Sequence, residues 1–259
     1  MRWYKIRALM FMDFKVFKRS KWRFVEFFYF PLTTIIIWGL FAIFTRDFSA
    51  ETGLMVLGVN VFWSFSYLAQ VTTNMQMNED SWSGSLKQIL ASGISEFEYL
   101  SARLISAVLI SALIMVIMIS IAVSFGLTVF FQEIYSILLL SGITLGGSLA
   151  LSILVAGLIM IFGRDYSFLA WSILQIFVLL SAPFYPVEIL PDVFQAIAMG
   201  MPFTNIFLGV RTLINTGTIP EHVFINGSLI VLVYLAISIP LYYYAFKRAR
   251  KNGLLAKLS

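Results

Sequence analysis

Residues 135–162 read YSILLLSGITLGGSLALSILVAGLIMIF, a stretch without a single Asp, Glu, Lys or Arg. Crossing a hydrocarbon core about 30 Å thick takes about 20 predominantly apolar residues in a helix, so this run is long enough. Inside lipid every backbone N–H and C=O must be satisfied within the segment or a closed barrel, which makes the run a helix and not an open strand. Five more runs of the same kind follow from reading outward in both directions: 27–44, 54–77, 100–126, 168–184 and 224–246. The chain of 259 residues is 60% apolar and 12% charged, with mean hydropathy +0.90, so it has more apolar surface than a water-soluble core absorbs. The fold class expected is an all-α integral membrane protein: one domain over 1–259 with six transmembrane helices.

Lysine and arginine set the orientation, because they gather on the cytoplasmic side of membrane proteins. With the N-terminus inside, the cytoplasmic segments hold Arg2, Lys5, Arg7, Lys15, Lys18, Arg19, Lys21, Arg23, Lys87, Arg103, Arg164, Lys247, Arg248, Arg250, Lys251 and Lys257, and only Arg46 and Arg211 fall outside. Adding or removing one span would put the basic tail on the wrong side. Both termini are therefore expected in the cytoplasm, in a multi-pass protein of the cell membrane, with no removable signal peptide.

Three segments stand apart from the spans. Residues 1–26 are basic and aromatic, and Trp3, Ile6, Met10, Phe14 and Phe17 recur at helical spacing, which predicts an interfacial helix whose cations reach for lipid headgroups. Residues 78–99 form the most polar interior stretch. Leu86, Ile89 and Leu90 share one apolar helix face there, and Ser95 with Glu98 has the form of a capping box opening the next helix. The segment is either a docking knob or an ordinary solvated loop. Residues 183–220 carry Pro183, Pro186, Pro191, Pro202 and Pro220 among apolar residues, which predicts a helical hairpin dipping into the membrane from outside, either near an exit or as a structural lid.

Within the second span Asn60, Ser64, Tyr67 and Asn74 lie near one face, so they either bond helices together or line a polar route, for which Gln175 of the fifth span is a further candidate. Gly142, Gly146, Ala150, Ala156 and Gly157 favour close helix packing in the fourth span. No catalytic set and no metal site is expected. Cysteine is absent, and His222, the only histidine, reads as a surface residue. No Walker-type phosphate loop occurs, so the chain has no nucleotide site of the familiar kind. A nucleic-acid partner is not expected.

In this order, the segments resemble the ABC-2 type permeases, the membrane subunits of exporters of drugs, nodulation factors and polysaccharides. The resemblance rests on Gly84-Ser85-Leu86-Lys87-Gln88-Ile89-Leu90 after the acidic Glu79 and Asp80, where the family has Gly-Thr-Leu-Glu-x-Leu-Leu. Gly93-Ile94-Ser95 and Glu98 follow in place of the family's Pro-Ile-Ser turn and acidic residue. Further on, Pro183-Phe184-Tyr185-Pro186-Val187-Glu188-Ile189-Leu190-Pro191 matches its Phe-x-Pro-x-x-x-Leu-Pro stretch, with Pro202-Phe203-Thr204 and Arg211 downstream. The resemblance implies a coupling helix built on Glu79, Asp80, Gly84, Leu86, Lys87 and Leu90, and a re-entrant segment at Pro186, Glu188, Leu190 and Pro191. It also implies a separate ABC ATPase subunit that binds ATP and Mg in place of this chain, and a second permease copy, as a homodimer in membrane lipid. The reading that follows is an export permease for an amphiphilic or lipid-linked substrate. The alternatives are an ATPase-independent channel or carrier, which the near absence of ionisable residues within the spans disfavours, and a membrane-embedded enzyme.

Overall fold

The computed structural model describes residues 2–19, 21 and 25–251, and over them it is all-helical. Ser20, Trp22, Arg23 and Phe24 of the expected interfacial segment, and Lys257 of the basic tail, lie outside the described residues.

Helix α1 (Trp3–Arg19) lies along the helix that begins at Glu96. Its inward face is Ile6, Leu9 and Asp13, while Trp3, Tyr4, Phe11 and Phe14 are exposed. Of the residues at helical spacing, Ile6 turns into the bundle with Leu9 and Asp13, and Trp3 and Phe14 point away from it. The cause is a buried ion pair made by Asp13, described below.

A π-helical turn (Val25–Tyr29) leads into α2 (Phe30–Phe44), with Pro31 in its first turn, where a missing N–H costs nothing. Thr45 alone separates α2 from α3 (Arg46–Trp82), whose helix breaks at Ser49. The return is this tight because Gly53 has no side chain: a Cβ there would stand 2.1 Å from Thr45 Oγ1 and 2.8 Å from the Ala42 Cα. At 37 residues α3 is about 55 Å long and overruns the bilayer, so its last turns carry Asn78–Trp82 out at the same end as α1.

Then come α4 (Ser85–Ala91), α5 (Glu96–Ser124), a single turn α6 (Val129–Gln132) and α7 (Ile134–Phe162). The stretch read first is therefore one continuous helix. Helices α8 (Leu169–Leu180), α9 (Asp192–Met199), α10 (Thr204–Thr216) and α11 (Glu221–Lys251) complete the chain.

The bundle is built around α3, which packs on α2, α5, α7, α8 and α10, and around the long α7–α11 pair. Gly157 lets that pair close, since its Cβ would meet the Tyr242 backbone at 3.3 Å. Gly146 faces Val231 of α11, whereas Gly142 has nothing within 4 Å and serves no such contact.

Among the described residues, five helices are long and apolar enough to cross a membrane: the one from Phe27 to Phe44, and α3, α5, α7 and α11. The fifth expected run, 168–184, is helical only over the 12 residues of α8, because Pro183 ends it; at 1.5 Å per residue that is about 18 Å. Helices α9 and α10 pass the same length test only as a pair and are bent by 93° at their junction. The hairpin expected over 183–220 is thus two helices and a sharp corner.

Candidate functional site

Two regions gather the polar side chains of the bundle. The first is the end where α1, α4, the start of α5 and the end of α11 meet, called the basic end below. Gly84 takes a left-handed conformation (φ 72°) and turns the chain from α3 into α4. Leu86 and Ile89 then bury themselves in a cluster with Ile6, Leu9, Met77, Tyr99 and Tyr242. The turn after α4 is fastened twice to α1: the Lys5 ammonium donates to the Gly93 carbonyl at 2.5 Å, and the Arg2 backbone N–H donates to Glu98 Oε1 at 2.6 Å. The capping box is present, with the Glu98 N–H donating to Ser95 Oγ at 3.2 Å and the Ser95 N–H to Glu98 Oε2 at 3.0 Å.

Beneath this turn Arg103 of α5, 1% exposed, donates from one guanidinium nitrogen to Asp13 of α1 and from the other to Asp80 of α3. The Tyr99 hydroxyl donates to Asp80 at 2.7 Å, Ser85 donates to it at 3.1 Å, and Ser106 donates to Asp13 at 2.8 Å. The guanidinium also stacks 5.2 Å from the Tyr99 ring centroid. Two carboxylates thus share one cation, with hydroxyls supplying the remaining donors. Burial pushes the Asp13 carboxyl above its ordinary range, against the opposing pull of Arg103 and the Ser106 hydroxyl.

The residues expected to carry coupling divide accordingly. Asp80 and Leu86 face the bundle, Gly84 makes the turn, Glu79 and Leu90 are half-buried, and Lys87 is exposed. The surface that the loop presents is Lys87, Gln88, Ala91 and Ser92, with Trp82 and Ser83 beside them. Asp13, Tyr99 and Arg103 were not among the expected site residues. Their signal was an arginine inside an apolar run and an aspartate inside an apolar helix face, each of which demands a partner.

The second region is an aromatic slot of about 480 Å³ between α2, α3 and α8. Asn60, Ser64, Tyr67 and Gln175 all line it, together with Phe27, Phe30, Thr34, Trp38, Trp63 and Phe184, and among the described residues no charged side chain does. Asn74 is not among the lining residues. Its amide donates to the Ser152 carbonyl of α7 at 2.9 Å and accepts from Gln70, which also donates to the Ala170 carbonyl of α8 at 3.0 Å. Two of the expected polar residues on α3 therefore differ in setting: Asn60 borders open space and Asn74 ties three helices together.

In the hairpin Pro186 and Pro191 precede the short turn Val187–Ile189 and α9, Glu188 is exposed, and Leu190 packs on Ala182, Val187 and Ala198. Gln195 donates to the Leu190 carbonyl at 2.7 Å. His222 is exposed at the start of α11. Among the described residues no group of His, Cys, Asp and Glu could hold a metal ion.

A helical bundle that holds, among the described residues, five helices long and apolar enough to cross a membrane defines a multi-pass membrane protein. The family model for ABC-2 family transporter proteins matches residues 42–246, which is most of the chain. The protein belongs to the ABC-2 transporter family. No curated protein matches the sequence.

Proposed function

We propose that the chain is the membrane subunit of an ATP-driven exporter, moving an amphiphilic or lipid-linked substrate out of the cytoplasm along the slot by alternating access. A separate ABC ATPase subunit holds the ATP and Mg, and a second copy of the permease completes a homodimer in the cell membrane. The observation that carries this reading is the shared ion cluster. Arg103 joins α1, the end of α3 and α5, so a push on α4 reaches three helices at once and cannot be absorbed by a floppy loop.

In this reading the basic end is cytoplasmic, α4 is the coupling helix, and the ATPase meets Lys87, Gln88 and Ala91. Asp80 and Leu86 serve from inside by holding α4 at its angle. Six crossings result if α8 passes through the membrane with its irregular flanks, and α9 and α10 then form the re-entrant hairpin. The slot suits an uncharged or amphiphilic cargo, since a bare charge would pay a heavy desolvation cost among its aromatic walls. Lipid is a partner at the end of α11, where Tyr244, Lys247, Arg248 and Lys251 form one exposed stripe below the exposed Leu229, Leu232 and Ile237.

The experiment is purification of the tagged chain from its native membrane. An ABC ATPase should co-purify, and reconstituted vesicles should export a labelled amphiphile only with ATP. Transport by the lone chain down a gradient, with no ATPase bound, would instead make it a channel or carrier.

A further inference from the structure

The segment after α8 holds an unusual backbone. Pro183 stops the helix, and the residue before it, Ala182, adopts φ 49°, a left-handed value that is unfavourable for a residue with a Cβ and that persists only where its surroundings enforce it. Ala182 is fully buried. What enforces it is Arg211 of α10. One guanidinium nitrogen donates to the Ala182 carbonyl at 2.6 Å and the Tyr185 carbonyl at 2.8 Å, and it stands 3.4 Å from the Pro183 carbonyl. An arginine that is 7% exposed is thus spent on three carbonyls that flank a single side chain, Phe184.

The Phe184 ring packs against two indoles, with its centroid 6.1 Å from Trp38 of α2 and 5.7 Å from Trp63 of α3. It also lines the slot. Along α2 the lining residues run from Phe30 to Trp38, and along α3 from Val71 back to Asn60, so Trp38, Trp63 and Phe184 meet at the end of the slot away from the basic end. Phe184 bridges the two helices there.

We infer that Phe184 is the outer gate of the slot and that Arg211 is the positioning residue that holds it across the opening, an inference that rests on the reading of the slot as the cargo route. The aromatic cluster closes the slot toward the outside by apolar contact alone, and opening it requires the carbonyl clamp to move with α10. The corner between α9 and α10 then sets the gate.

The chain has no cysteine, so one introduced at Ser64, within the slot, reports on both ends of it. The full-length Ser64→Cys protein is labelled with a membrane-impermeant maleimide in right-side-out and in inverted membrane vesicles. With Phe184 intact, labelling should be slow from outside and faster from the basic side. Adding Phe184→Ala should speed outside labelling by about tenfold, Phe184→Tyr should leave it slow, and Arg211→Gln should speed it where Arg211→Lys restores part of the protection. Unchanged labelling of a separate Arg250→Cys reporter, exposed at the end of α11, from the basic side shows that each variant is folded; if Arg211→Gln fails that control, the Phe184 pair alone decides. Equal outside labelling with and without Phe184→Ala, while the basic side still reacts, overturns the gate and leaves the slot as route. A Ser64→Cys that reacts from neither side in any variant overturns the route itself.

Discussion

Arg103 sits between Asp13 and Asp80, buried at 1% exposure, and joins residues 90 and 23 positions away in sequence. A buried charge that loses its partner is costly, on the order of 3–5 kcal/mol, because the remaining groups stay desolvated. Arg103→Met should therefore lower the melting temperature of the purified protein markedly and detach α1, seen as faster proteolysis near Arg19. Retention of wild-type stability would mean that the cluster does not hold the basic end together.

The two carboxylates should not be equivalent. Asp80 accepts from Arg103, Tyr99 and Ser85, whereas Asp13 accepts from Arg103 and Ser106 and already has its carboxyl pushed up by burial. A folded-state value above the unfolded one means that ionising Asp13 works against the fold, with that cost incurred as pH rises from the unfolded value through the folded one. Asp13→Asn should consequently cost less than Asp80→Asn, and it should flatten any fall in stability as pH rises above the ordinary carboxylate range. Thermal unfolding of both variants across that range measures the order.

Asn74 and Asn60 offer a second contrast on one helix. Asn74→Leu removes a donor to the Ser152 carbonyl and leaves Gln70 short of an acceptor, which costs about 1–3 kcal/mol of stability. Asn60→Leu only lines the slot with more carbon, so its effect should appear in the affinity for transported amphiphiles and little in unfolding. Matching losses of stability would remove the distinction between glue and lining.

Much of this arrangement was legible in the sequence, and the parts that were not have physical reasons. The apolar runs declare themselves by length, and Ser95 with Glu98 declares the start of α5, because both depend on neighbours in sequence. Asn60, Ser64, Tyr67 and Gln175 could be grouped from helical spacing and resemblance, but the same spacing carries Asn74 two turns further to a face covered by α7. Which face of α1 turns inward was not legible, because its aromatic residues are more apolar than Asp13 and only the distant Arg103 makes Asp13 a buried residue. The length of α8 was overread: 168–184 is predominantly apolar, and hydropathy does not register that Pro183 ends the helix.

Close packing of α7 on α11 gives a prediction about two glycines. Gly157→Leu would drive a side chain into the Tyr242 backbone and should destabilise the protein by about 1–3 kcal/mol or more. Gly142→Ala meets open space in a helix and should be neutral or slightly stabilising, by up to about 1 kcal/mol. Denaturation of the two variants side by side, in one detergent, separates packing from propensity.

The stripe at the end of α11 predicts lipid selectivity. Replacing Lys247, Arg248 and Lys251 together by Gln should reduce retention of anionic phospholipid through purification, with each cation contributing about 1 kcal/mol at low salt. Zwitterionic lipid should be retained equally by both proteins, and an unchanged anionic fraction would place the lipid contact elsewhere.

An ATPase subunit that works on the bundle through α4 has to touch the exposed face of that helix. A single cysteine at Gln88, in a chain that has none of its own, can be crosslinked to the ATPase in native membranes. Gln88→Cys should form an adduct with the ATPase whose yield changes with ATP and vanadate, and Tyr185→Cys at the other end of the bundle should form none. An ATPase that stimulates transport yet never crosslinks at Gln88, or that crosslinks equally at Tyr185, would contradict coupling through α4.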